Sequence, residues 1–189
     1  MNAATPSYCA YIQQEQCSPL HVEYHDTEYG YPLDSDNALF ERLSLEINQA
    51  GLSWLTILKK RHHFREAFDG FEISLVSEYT EHDVYRLMHD ASIIRNRLKI
   101  AAVIHNAKVI RTLQDQHGSF MLWLDANHPR TREEWTKLFK KTFKFTGGEI
   151  VNEFLMSTGY LKGAHREDCP IYDHILTHSP RWNESQEQP

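Results

Sequence analysis

Between Leu39 and Leu155 the apolar residues recur every three or four positions, and this spacing limits the chain to helices. Leu39, Leu43, Ile47 and Ala50 form one stripe. Trp54, Ile57, Leu58, Phe64 and Phe68 form a second, Ile100, Val103, Ile104, Ala107 and Ile110 a third, and Ile150, Val151, Phe154 and Leu155 a fourth. A period of 3.6 places each set on one face of a helix, and no segment sustains the alternation of a half-buried strand. The expected fold class is all-α. Helix starts are marked by Asp36, by Ser53, by Thr80 with Asp83, and by Thr131 with Glu134, the latter two in the capping-box relation. Gly51 and Gly159 suit the left-handed residue that follows a helix end. At 189 residues the chain can bury a core without a partner, so a single domain and a monomer are expected. The domain is read as residues 1–178, and the Glu-, Gln- and Pro-rich stretch 179–189 as a flexible polar tail.

No apolar run approaches the roughly 20 residues needed to cross a bilayer. The first basic residue is Arg42, so no charged region opens a secretory signal, and the expectation is a cytoplasmic protein. Three cysteines without an export signal argue against a disulfide framework. The net charge of −6 is unevenly spread, because residues 1–41 hold seven acids and no Lys or Arg. Bases gather in Lys59, Lys60 and Arg61, in Arg95, Arg97 and Lys99, and in Lys137, Lys140, Lys141 and Lys144. Such patches can meet phosphate or can be solvated helix faces.

Three features carry chemistry. His165 and Cys169 lie four positions apart and Cys9 and His25 supply a matching pair near the other end, a potential closed Cys2His2 shell for a structural metal. The plainer alternative is surface histidines beside buried thiols. Glu46 falls on the core stripe, at Leu39 plus seven, where a carboxylate is costly unless a cation or a ligand satisfies it. Either a structural ion pair or a functional acid accounts for it. Trp54 follows closely, and Tyr24 and Tyr29 flank the candidate ligand His25; rings with one acid suit a flat, hydrogen-donating base. Phe143 to Gly148 bridges two helices with a glycine turn, whose exposed N–H groups can receive a phosphate or can simply connect.

The segments YHDTEYGYP (24–32), LEINQAGLSWLTILKKR (45–61), IIRNRLKI (93–100) and KKTFKFTGGEIVNEFLMSTGYL (140–161), with the split Cys/His quartet, resemble the 3-methyladenine DNA glycosylase I family. The resemblance runs from about Cys9 to Cys169. It implies a helix-hairpin-helix glycosylase whose termini are tied by one structural zinc on Cys9, His25, His165 and Cys169. It implies a base pocket in which Trp54 stacks on the damaged base while Glu46 and Tyr24 read its edge, with Tyr29 in the wall and Glu46 acting in catalysis. Lys141, Lys144, Thr146, Gly147 and Gly148 would meet double-stranded DNA containing an alkylated purine. The reaction implied is hydrolysis of the glycosidic bond of 3-methyladenine after base flipping, in base-excision repair. The sequence departs from the family where Tyr11 and Tyr29 replace tryptophans, His21 replaces a tyrosine, Gly163 and Ala164 replace Asn-Asp, and Glu149 follows the turn. Alternatives are a catalytically weak lesion-binding protein of the same fold, a glycosylase with a shifted alkylpurine range, and a metalloenzyme whose zinc keeps an open position.

Overall fold

A computed structural model of the chain describes residues 7–184. Among them are eleven α-helices and two short 3-10 helices, and no strand. The chain divides into two compact units, one built from the segments up to Pro32 and from Leu155 onward, the other from Leu33–Phe154.

In the terminal unit, α1 (Tyr8–Ile12) and α2 (Pro19–Thr27) come from one end of the sequence, and α11 (Pro170–Leu176) from the other. Ser7 caps α1 by accepting from Ala10 N–H, and prolines open α2 and α11, where the missing N–H costs nothing. Gly30 runs against the returning segment: a Cβ there would lie 2.9 Å from Ala164 Cβ and 3.1 Å from Ile175 Cδ1, at a φ of +87°. Only glycine fits that position without displacement. Of the expected tail, residues 179–184 are described. Arg181–Asn183 form a 3-10 helix, Trp182 N–H donates to Gly159 O at 3.2 Å, and the Trp182 ring lies 6.0 Å from that of Tyr172. Composition understated the order here because one tryptophan anchors an otherwise polar stretch. Residues 185–189 of the expected tail lie outside the described residues.

The central unit runs through α3 (Asp36–Gln49), α4 (Trp54–Ala67), α5 (Ile73–Val76), α6 (Glu81–His89), α7 (Arg97–His117), α8 (Phe120–Asn127), α9 (Arg132–Thr142) and the greater part of α10 (Gly148–Ser157). The expected stripes face inward: Leu39, Leu43, Ile47, Ile57, Phe64, Val103, Ala107 and Ile110 are fully buried. Phe120, Trp123, Phe139, Phe143 and Phe154 form one aromatic block with centroid spacings of 5.2 Å and upward, and each such burial stabilises by about 1.5–3 kcal/mol. Thr80 and Thr131 form the expected capping boxes. Asp36 does not cap α3. Ser35 does, while the Asp36 carboxylate accepts from Gln114 Nε2 and from the N–H groups of Phe120 and Met121. An acid that looked local in sequence therefore holds the start of a distant helix.

Candidate functional site

Cys9, His25, His165 and Cys169 converge in the terminal unit, all four buried and their ligand atoms all within 4.8 Å of one another. Cys169 Sγ lies 3.6 Å from His165 Nδ1 and 3.8 Å from His25 Nε2, and Cys9 Sγ lies 3.8 Å from His165 Nδ1. Ligands at 2.0–2.3 Å in a tetrahedron stand ~3.5 Å apart, so the spacing suits one small cation. The far ring nitrogens are also engaged. His25 Nδ1 meets Asp26 Oδ1 at 2.7 Å, and His165 Nε2 donates to Tyr29 O at 2.7 Å, which turns its unprotonated Nδ1 toward both sulfurs. Arg166 N–H donates to Cys9 Sγ at 3.5 Å. Burial lowers the His165 pKa and keeps the ring neutral, as a metal ligand must be.

Beside this cluster stand the aromatic residues of α1 and α2. Tyr24 and Tyr29 are buried, with centroids 5.7 Å apart. Tyr8, which no sequence pattern singles out, sits at their centre: its ring is 5.2 Å from Tyr29, 6.2 Å from Tyr24 and 5.5 Å from His25. Its hydroxyl meets His21 Nδ1 at 2.7 Å, and burial lowers the His21 pKa and so favours a neutral, accepting ring.

In the central unit Glu46 is 4% exposed on α3. Its carboxyl is pushed up to about 8, first by burial and then by the charge of Glu153, while Arg42 opposes the shift. Arg42 lies one turn earlier on the same helix, and its charge offsets only part of the shift. A neutral acid at pH 7 that ionises when a cation arrives is a discriminator of charge. After α3 come Ala50, Gly51 at a φ of +81°, and Ser53, whose hydroxyl accepts from Thr56 N–H and caps α4. Trp54 is the first residue of α4 and is half-buried.

The turn from α9 to α10 is held by Asn106, fully buried on α7. Its Oδ1 accepts from Lys144 N–H at 2.8 Å and its Nδ2 donates to Lys144 O at 3.1 Å. Thr146 turns inward, its hydroxyl donating to Phe139 O at 3.1 Å, so its side chain builds the turn. Phe145 at the tip has a φ of +61°, unusual without glycine and a form of strain that concentrates at functional sites. Lys140, Lys144, Thr146, Gly147 and Ile150 border an open depression of about 470 Å³. Lys140, Lys141 and Lys144 are all exposed. Glu149, in the first turn of α10, is paired with Arg132 at 2.5 Å, so its charge is compensated.

Residues 13–172 match the methyladenine glycosylase family. The chain belongs to that family. It is 36% identical to DNA-3-methyladenine glycosylase 1 of Escherichia coli (strain K12), a match covering 87% of this chain and 96% of that protein. With DNA-3-methyladenine glycosylase of Haemophilus influenzae (strain ATCC 51907 / DSM 11121 / KW20 / Rd) it shares 33% identity over 86% and 96% of the two chains. A solved structure concerned with 3-methyladenine recognition by 3-methyladenine DNA glycosylase I from Staphylococcus aureus superposes with a TM-score of 0.76 at 35% identity, covering 87% of this chain and 95% of that one. In this member of the methyladenine glycosylase family the Tyr8 hydroxyl and His21 Nδ1 lie 2.7 Å apart.

Proposed function

We propose that this chain is a monofunctional DNA N-glycosylase of base-excision repair that flips 3-methyladenine out of alkylated duplex DNA and hydrolyses its glycosidic bond. The observation that carries the reading is Glu46, a buried acid with its pKa raised to about 8, on a chain of the methyladenine glycosylase family. An N3-alkylated adenine is cationic while joined to the sugar and leaves neutral, so the bond is weak already and the protein's task is selection. Glu46 meets the cation, gives up its proton to solvent water and accepts from the base; normal adenine offers no charge to offset ionising a buried acid. Trp54 stacks on the base, and Tyr24 and Tyr29 complete its recognition. Water attacks the sugar carbon as the neutral base departs.

The turn of the helix-hairpin-helix element meets phosphate through Lys141, Lys144 and the backbone at Gly147 and Gly148, and Thr146 supports it from within. The altered pocket rim and Glu149 are what favour a catalytically weak lesion binder, and the pairing of Glu149 with Arg132 offsets the second of these. The metal is zinc, one per chain, on Cys9, His25, His165 and Cys169. With four protein ligands it supplies cross-linking of the two ends of the chain and no open position for water, which disfavours a metalloenzyme. The protein acts as a monomer in the cytoplasm. The deciding experiment is excision from methylated duplex DNA: release of free 3-methyladenine supports the reading, and tight lesion binding without release overturns it.

A further inference from the structure

Lys99 is the one lysine of the central unit whose side chain is buried, at 5% exposure. It stands in the first turn of α7, just after Asn96, which caps that helix by accepting from Leu98 and Lys99 N–H. Among the described residues no carboxylate pairs with it. Its ammonium instead donates to Asn48 O at 2.7 Å and to Ala50 O at 2.6 Å. These carbonyls belong to the C-terminal end of α3, where the last four have no partner within the helix and the backbone dipole favours a cation. Glu46 lies one turn before Ala50 on the same helix, and Trp54 follows Ala50 after three residues.

Among the described residues the other hydrogen bonds of the bridge are local. Leu52 N–H donates to Gln49 O at 2.7 Å, Gln49 Nε2 donates to Leu52 O at 2.8 Å, and Ser53 caps α4. Gly51, at a φ of +81°, borders open space, since a Cβ there would meet nothing within 4 Å. The two bonds from Lys99 anchor this bridge to the 21-residue α7.

We infer that Lys99 is a positioning residue for base recognition: by fixing the α3 terminus and the Gly51–Ser53 bridge to α7, it sets where Trp54 stands relative to Glu46. The inference rests on Glu46 and Trp54 being the base-reading pair. Burial lowers the Lys99 pKa, a property shared with nucleophilic lysines. Here, however, two of its three N–H donors are committed to backbone carbonyls, which favours the protonated form and a holding role.

The test uses the full chain with its metal, as wild type, Lys99→Met and Lys99→Gln, each paired with the same protein carrying Trp54→Phe. The difference spectrum isolates Trp54 emission without any ligand or activity. Lys99→Met is expected to shift it, to weaken quenching by free 3-methyladenine, and to slow single-turnover excision by about 10-fold or more, since a misplacement of ~1 Å can cost 100-fold. Affinity for undamaged duplex is expected to stay unchanged. Lys99→Gln, which keeps a donor, is expected to fall between, and it carries the test if the Met variant does not fold. An unshifted Trp54 spectrum with normal base binding in a folded variant overturns the positioning role. A wild type that excises no 3-methyladenine overturns the functional reading alone, because the Trp54 spectrum still reports on Lys99.

Discussion

The two units solve the same problem with different chemistry. The central unit is held by apolar volume: stripes on α3, α4 and α7 and the aromatic block around Phe139 bury surface without needing any one contact. The terminal unit has few such residues. Its interior holds His21, His25, His165, two thiols and the rings of Tyr24 and Tyr29, with the half-buried Tyr8 beside them, groups that are costly to bury unless each is matched. The lesson concerns fragility. A core made of volume degrades gradually, whereas a core made of a matched polar set fails when one member is lost.

Breaking the metal cluster is therefore expected to have the largest effect. Cys169→Ser should reduce zinc from about one per chain to substoichiometric levels and cost ~3 kcal/mol or more, lowering Tm by ~6–12 °C, with chemistry surviving at permissive temperature. Metal analysis and calorimetry check this, and a zinc-free wild type with unchanged Tm would erase the contrast.

Next in size is Glu46→Gln, which should slow 3-methyladenine excision by ~100-fold, about 2.7 kcal/mol of transition-state stabilisation, with fold and zinc intact. The same variant has a pH signature. Because the folded-state pKa of Glu46 is raised from 4.5 to about 8, its contribution to stability is fully present at low pH and is lost as pH rises through the folded pKa. The wild type should thus lose Tm relative to Glu46→Gln between pH 5 and pH 8.5. A Tm difference that stays flat with pH would mean the acid is satisfied in the resting protein.

Charge at the turn should matter less to stability and more to DNA. Neutralising Lys140, Lys141 and Lys144 together is expected to weaken damaged and undamaged duplex alike and to lower the slope of log K against log salt by up to about 3, with Tm nearly unchanged. Smallest of all, Glu149→Gln should raise duplex affinity by no more than a few-fold, since Arg132 already balances the charge at an exposed site. Salt titrations of binding measure both, and a large gain for Glu149→Gln would show that the ion pair opens on DNA.

Periodicity marked α3, α4, α7 and α10, because a 3.6-residue repeat puts each stripe on one helix face, and the same repeat exposed Glu46 as a polar residue on a core stripe. His165 and Cys169 were readable as a pair from their local spacing, and Cys9 and His25 as a matching pair near the other end. That the pairs meet was decided by the tertiary structure, since contacts spanning 156 positions leave no local mark. The same limit hid Tyr8, whose partners His21 and Tyr29 are set by folding, and Asp36, whose partners lie 78 and more positions away. Lys99 and Asn106 lay on the stripe of α7 beside Val103 and Ile110 and could have been flagged as Glu46 was. Reading Lys99 as part of a basic patch was natural, because charge clusters are usually solvated. Only the fold shows it turned inward onto Asn48 and Ala50, where an ammonium is tolerable because helix-end carbonyls replace its water.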